Sequence, residues 1–260
     1  MTVATVDELF TRERRERAGD RTALIDATGR EYDLHWLCTT SWKAGNFLRH
    51  SGVRNGVTVG VVGTGPIGLL AFFGTALLEA RTQFDPPTDR AADESFRTLV
   101  APVEVLETGG YELPPGAQRV GYGDKPTDPD VHNFDAGLWS ENPSFPPVSI
   151  DPDTALLTDG DRTLSHADAL AAGRDVITTY GLEHGDRVVV RESFSDLRAV
   201  IAGVLAPLLA DGVIVLAADD TEENEESSVE SDRGGYVVSS EDESELAAEQ
   251  IALERVSLSE

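Results

Sequence analysis

Residues 153–193 read DTALLTDGDRTLSHADALAAGRDVITTYGLEHGDRVVVRES. This stretch switches period twice. Ala155-Leu156-Leu157 is a short apolar strand, and Thr158 to Arg162 is a polar turn around Gly160. Ser165 then stands where an N-cap stands, with Asp168 three positions on, a weaker form of the capping box. Leu170, Ile177 and Tyr180 form an apolar stripe at helical spacing. Gly181 ends the helix, as a left-handed C-terminal residue does. A Gly-x-x-x-Gly turn and the β-branched run DRVVVR follow. The pattern predicts strand, turn, helix and strand, continued by an apolar helix over 197–209 and a strand over 212–217.

The same order occurs once before. Residues 21–63 read RTALIDATGREYDLHWLCTTSWKAGNFLRHSGVRNGVTVGVVG, offset by roughly 130 residues, a repeat that self-comparison exposes. Ala23-Leu24-Ile25 is the first strand, and Asp33 is the expected N-cap. Leu34, Leu37, Ala44 and Leu48 share one helical face. Gly52 ends the helix, VTVGVV is the next strand, Ile67–Ala80 the next helix, and TQFD the closing strand. Strand–helix–strand–helix–strand units make parallel sheets with crossover helices, and unbroken Val-rich runs suit strands covered on both faces. The expected fold is α/β, with two similar parallel-sheet lobes.

The expected boundaries are a first lobe over 1–110, a Pro/Gly-rich connector over 111–150, a second lobe over 151–218 and an acidic tail over 219–260. A helix is predicted at 91–100 and a strand at 103–106. Phe134, Trp139 and Phe145 are expected to be buried. Asp219–Asp232 holds eight acidic residues and no basic one, too polar a block to order itself. The segments GGYVVSS and ESELAAEQIALERVSL are read as a strand and a short helix.

Composition narrows the function. The 260 residues carry a formal charge of −26 and only two lysines, Lys43 and Lys125. Such a surface suits concentrated salt, where self-repulsion is screened, and the reading is a halophilic, cytoplasmic protein. The field repels nucleic acid, whose binding leans on basic contacts, and anionic membrane. No apolar run reaches the roughly 20 residues a bilayer demands. The single cysteine, Cys38, excludes an intramolecular disulfide and reads as core. The five histidines, His35, His50, His132, His166 and His184, show no metal spacing and read as surface or helix-end residues. No metal site and no catalytic residue is assigned.

Gly63-Thr64-Gly65-Pro66-Ile67-Gly68 follows a strand and opens a helix. That is the spacing of a dinucleotide turn, with Asp85 about 20 residues on where a ribose-binding acid would sit. Gly63, Gly65, Gly68 and Asp85 are therefore an alternative site, for NAD. Against it, the matching place in the second copy, RESFSDLRAV, has no such glycines, and Pro86-Pro87 stiffens the edge where a ribose would dock.

The repeat also resembles the N-terminal part of the acyl-CoA synthetase (AMP-binding, adenylate-forming) family, over about residues 5–217. SGVRNGVTVGV and EARTQFDPP hold places of that family's pattern, as do TLSHADALAA, YGLEHGDRVVV and VLAPLLADGVIVL. The resemblance implies two packed α/β subdomains. It also implies carboxylate activation with ATP and Mg²⁺ through a Ser/Thr/Gly-rich phosphate loop ending in Lys-Gly. At the matching place stand Thr158, Asp159, Gly160, Asp161, Arg162, Thr163, Leu164, Ser165 and His166. Phosphate needs close backbone N–H groups and positive charge, whereas this loop has one glycine, no lysine and two acids. Thr158, Asp159, Gly160, Arg162, Ser165 and His166 are candidates for a vestigial nucleotide loop. The expectation is a degenerate, non-catalytic relative with a binding or regulatory role and no obligate cofactor, for which ATP, AMP or CoA are candidate ligands and a partner subunit or second copy a candidate partner. The alternatives are a split AMP-forming acyl-CoA ligase and an NAD-dependent oxidoreductase.

Overall fold

The computed structural model describes residues 3–217, 235–240 and 249–258. The acidic block 219–232 lies outside the described residues. In chain order, helix α1 (Arg12–Ala18) leads to strands β1 (Thr22–Ile25) and β2 (Glu31–Asp33), helix α2 (Leu34–His50), strand β3 (Thr58–Val61), helix α3 (Pro66–Ala76) and strand β4 (Arg81–Phe84). Strand β5 (Phe96–Pro102), helix α4 (Val103–Glu107), strands β6 (Gln118–Tyr122) and β7 (Val131–Asn133) and helix α5 (Phe134–Ser140) follow. The second copy supplies β8 (Ala155–Thr158), β9 (Thr163–Ser165), α6 (His166–Tyr180), β10 (Arg187–Val190), α7 (Leu197–Val200), a π-helical turn (Ile201–Leu205), α8 (Ala206–Leu209) and β11 (Val213–Leu216). Strands β12 (Tyr236–Ser239) and β13 (Glu249–Ala252) complete the described elements.

The strands make two mostly parallel sheets, in the orders β13-β12-β10-β11-β1-β2 and β7-β6-β5-β3-β4-β8-β9. Only the hairpin pairs β1–β2 and β8–β9 are antiparallel. The repeat is present, but its hairpins are exchanged. β1, from the first copy, pairs in parallel with β11 of the second, Leu24 opposite Ile214 and Ile25 opposite Val215. β8, from the second copy, pairs in parallel with β4 of the first, Thr82 opposite Leu157.

The compact units therefore differ from the consecutive lobes expected over 1–110 and 151–218. One unit is residues 1–37 with 166–260, the other residues 38–165. The reason is burial. Ile25 packs in a core with Val189, Val213, Val215 and Val237, so the first hairpin finds its apolar surface on strands far along the chain. Residues 111–150 are not a separate connector: β6 and β7 extend the seven-stranded sheet beyond β5. Of the tail, Tyr236–Ser239 is the expected strand. Glu249–Ala252 forms a strand rather than part of the helix, parallel to β12, and residues 243–248 lie outside the described residues.

Two local expectations are reversed. Residues 96–102 form a strand where a helix was expected, and 103–107 a helix where a strand was expected. Pro102 decides both. It occupies the N-cap of α4, and proline biases the residue before it to extended backbone while its fixed φ suits a helix start. Trp139 is 87% exposed, although Phe134 and Phe145 are buried. Phe134, Gly137 and Leu138 form the buried face of α5, which leaves Trp139 on its outer side. On α6 the buried stripe runs through Leu170, Gly173 and Val176, with Ile177 and Tyr180 only half-buried.

The helix ends follow the local signals. The Asp33 carboxylate accepts from the Trp36 N–H at 2.6 Å, and Gly52 and Gly181 take φ of +83° and +69°. Leu34, Leu37, Ala44 and Leu48 are buried, as is Cys38. Helix α3 is apolar nearly all round and buried from Gly68 to Ala76. It meets α2 at glycine: a Cβ on Gly74 would lie 2.7 Å from the Gly45 nitrogen and 2.9 Å from the Ala44 Cβ. Those neighbours are mostly backbone and cannot rotate away. Gly74→Val is expected to cost about 3 kcal/mol through overpacking, read as a lower midpoint in urea denaturation. An unchanged midpoint would show that the two helices can part at no cost.

Candidate functional site

Strands β3, β4, β5, β6 and β8 run parallel, so their carboxyl ends lie along one edge of the seven-stranded sheet. β3 has β4 on one side and β5 on the other. Connections that leave β3 for opposite sides make a switch point, where open α/β sheets place ligands. The edge gathers both candidate sets: Gly63, Gly65 and Gly68 follow β3, Asp85 follows β4, and Thr158, Asp159, Gly160 and Arg162 follow β8. Residues 160 apart from any common motif thus become neighbours through strand order alone.

The glycine turn after β3 is occupied by its own protein. Gly63 has φ +96°, and a Cβ there would lie 2.5 Å from the Tyr122 hydroxyl. That hydroxyl donates to the Val62 carbonyl at 2.7 Å, so the Tyr122 side chain, from β6, lies across the switch point. Burial, and then the carboxylates of Asp85 and Asp135, push the Tyr122 pKa up to about 12. Asp85 has φ +42°, and its carboxylate accepts from the Gly63 N–H at 3.2 Å. A ribose-binding acid must offer its oxygens to a ligand, whereas this one is turned onto the turn that would hold the pyrophosphate. Nothing in the glycine signature pointed to Tyr122. Its only trace in the sequence is its place at the end of the run QRVGYG.

The turn between β8 and β9 is a closed hairpin. The Asp159 N–H donates to the Arg162 carbonyl at 3.2 Å. The Asp159 carboxylate accepts from the N–H groups of Asp161 and Arg162 at 3.0 and 2.7 Å. The Thr158 hydroxyl accepts from the Gly160 N–H at 3.1 Å and donates to the Arg162 carbonyl at 2.7 Å. Four consecutive backbone donors, Asp159 to Arg162, are thereby bonded inside the turn. Gly160 is required twice over: its φ is +104°, and a Cβ would lie 3.2 Å from Nε2 of the buried Gln83. Asp159, Asp161 and Arg162 are exposed.

Ser165 ends β9 and α6 starts at His166, but His166 does not join the turn. It is fully buried, against the expectation of a surface or helix-end residue. Its Nδ1 accepts from the Val6 N–H at 3.0 Å, so the ring proton sits on Nε2, which has no hydrogen-bond partner. Burial lowers its pKa from 6.5 to about 4. The other four histidines are exposed. Among the described residues no cluster of three or more His, Cys, Asp or Glu could hold a metal ion, and no helix is long and apolar enough to cross a membrane.

No family model matches the sequence, and no curated protein matches it. Solved structures do match the fold. The chain is similar to an anthranilate CoA ligase, AuaEII, solved with anthranoyl-AMP: TM-score 0.73 and 15% identity over 90% of this chain and 49% of that one. The N-terminal domain of FACL13 from Mycobacterium tuberculosis gives TM-score 0.73 and 13% identity, over 90% and 62%. A benzoate CoA ligase from Burkholderia xenovorans LB400 gives TM-score 0.71 and 17% identity, over 90% and 49%. The chain thus spans about half the length of the full ligases it matches. Its fold is that of the N-terminal domain of adenylate-forming ligases.

The buried histidine makes a signed prediction. Above pH 6.5 it is neutral in both folded and unfolded chains, and its contact with Val6 is intact. As pH falls from 6.5 towards 4, the unfolded chain takes up a proton that the folded chain refuses, so stability declines by about 1.4 kcal/mol per pH unit. Denaturation of the wild type and His166→Asn at pH 7 and pH 5 should show the wild type losing more. Equal losses would mean the imidazole does not titrate between those values. In the turn, Asp159→Ala is expected to cost about 1 kcal/mol and to speed amide exchange at Asp161 and Arg162.

Proposed function

We propose that this chain is a non-catalytic relative of acyl-CoA synthetases that uses the ligase fold for a binding or regulatory role. The observation that carries this reading is the closed turn at Thr158–Ser165. A phosphate cradle works by aiming free N–H groups and cations at a developing charge. Here Asp159 and the Thr158 hydroxyl accept the turn's own N–H groups, two acids repel a triphosphate, and Arg162 is the turn's one cation. The Tyr122 side chain across the switch point supports the same reading, because it fills the crevice a ligand would enter.

A second reading is a split AMP-forming ligase that works with another polypeptide. Coverage of 49% of the solved ligases supports it. The resemblance also makes ATP, AMP and CoA the ligands to try. The nicotinamide alternative is not carried forward, since Asp85 is engaged with Gly63.

Carboxylate-dependent ATP–pyrophosphate exchange separates the readings. Purified chain with Mg²⁺, ATP and benzoate, anthranilate or a fatty acid should give no exchange above background, in low and high salt. Exchange by the chain alone would sink the non-catalytic reading. Exchange that arises only on adding a second polypeptide would select the split ligase.

A further inference from the structure

The second half of α6 and the chain just after β13 border a cavity of about 250 Å³, whose walls include Ala172, Asp175, Val176, Tyr180, Arg255 and Val256. It lies wholly within one unit and shares no residue with the Thr158–Ser165 turn. Drug-sized and cofactor sites take roughly 300–1,000 Å³, so this one suits only a small molecule and excludes a nucleotide or CoA. Ala172, Val176 and Val256 are buried and give it an apolar wall.

Its polar groups are of opposite sign and uncommitted. Neither the Arg255 nor the Asp175 side chain makes an ion pair or hydrogen bond with any described residue. The Tyr180 hydroxyl is buried and has no hydrogen-bond partner among the described residues. A buried hydroxyl without a partner is costly, and an acceptor brought by a ligand would relieve that cost. A lone anion would have to approach a chain of charge −26, and a lone cation would leave Arg255 and Tyr180 unused. A neutral molecule carrying both charges avoids both penalties.

We propose that this cavity binds a small zwitterion: a carboxylate held by Arg255 and the Tyr180 hydroxyl, an ammonium held by Asp175, and a short aliphatic body against Val176 and Val256. Arginine matches a carboxylate with paired donors, and three N–H groups of an ammonium suit an acidic acceptor. The assignment is independent of whether the ligase fold retains any adenylation chemistry.

Calorimetry on the full chain tests it, with L-valine, isovalerate and isobutylamine as probes. L-valine should bind saturably and at least about tenfold more tightly than either single-charge analogue, the size of one charged hydrogen bond. Arg255→Gln and Asp175→Asn should each weaken valine by about tenfold. Both positions are exposed, so the variants should keep the wild-type circular dichroism spectrum. Tyr180→Phe keeps the ring and removes only the hydroxyl, and should weaken valine without lowering the melting temperature. No saturable heat with valine, isovalerate binding as tightly as valine, or valine affinity unchanged in both charge variants would overturn the proposal.

Discussion

The parallel pairing of β1 with β11 is the contact on which the rest depends. It places Ile25 among Val189, Val213, Val215 and Val237 and closes one sheet with residues from both ends of the chain. Its counterpart, β8 on β4, does the same for the other sheet. Neither hairpin could stay dry beside its own copy's helix alone. An isolated hairpin is marginal in water, and a buried face must find a partner. Charged contacts reinforce the first exchange. The largely buried Arg14 guanidinium bonds the Leu208 carbonyl and pairs with Asp211 at 2.7 Å, and Arg21 reaches the Asp211 carboxylate at 3.2 Å and the Gly212 carbonyl at 2.9 Å. Burial would raise the Asp211 pKa, but these arginines hold it below the usual value.

The exchange also explains why one sheet edge collects residues from two unrelated motifs. β8 comes from the second copy, yet it brings the Thr158 turn to the edge that already carries the Gly63 turn and Asp85. A ligand-binding sheet of this kind would leave that edge open. Here Tyr122 and Asp85 bond to the glycine turn, and Asp159 and Thr158 bond the hairpin's own donors. Each of these is an ordinary hydrogen bond of modest net strength. Together they leave few backbone donors for an anion, which is the physical content of calling the loop degenerate.

Much of this was legible from residue order. The helix of residues 34–50 and its end at Gly52, the helix of 166–180 and its end at Gly181, and the Val-rich strands all follow from spacing and caps. The acidic turn could be read as a poor phosphate site before any contact was known, because its composition lacks the necessary donors and charge. Pro102 was misread, since a run such as SFRTLVAPVEVLE carries both periods and only the proline's position divides them. Trp139 was misread because burial on a seven-residue helix depends on which face the sheet offers. His166 was taken for a surface residue because nothing local shows that the Val6 N–H would come to meet it.

The sequence by itself determined the elements and their repetition, since these rest on periods of two and 3.6 residues, on capping side chains and on glycines that tolerate positive φ. It also determined that the turn at 158–166 is poor in the groups that hold phosphate. Only the tertiary structure decided which sheet each hairpin joins, that Tyr122 covers the switch point, and that His166 is buried with one nitrogen unpartnered. The reason is that strand pairing and burial are non-local. They follow from where apolar surface remains to be covered, and in this chain that surface lies on the other copy of the repeat.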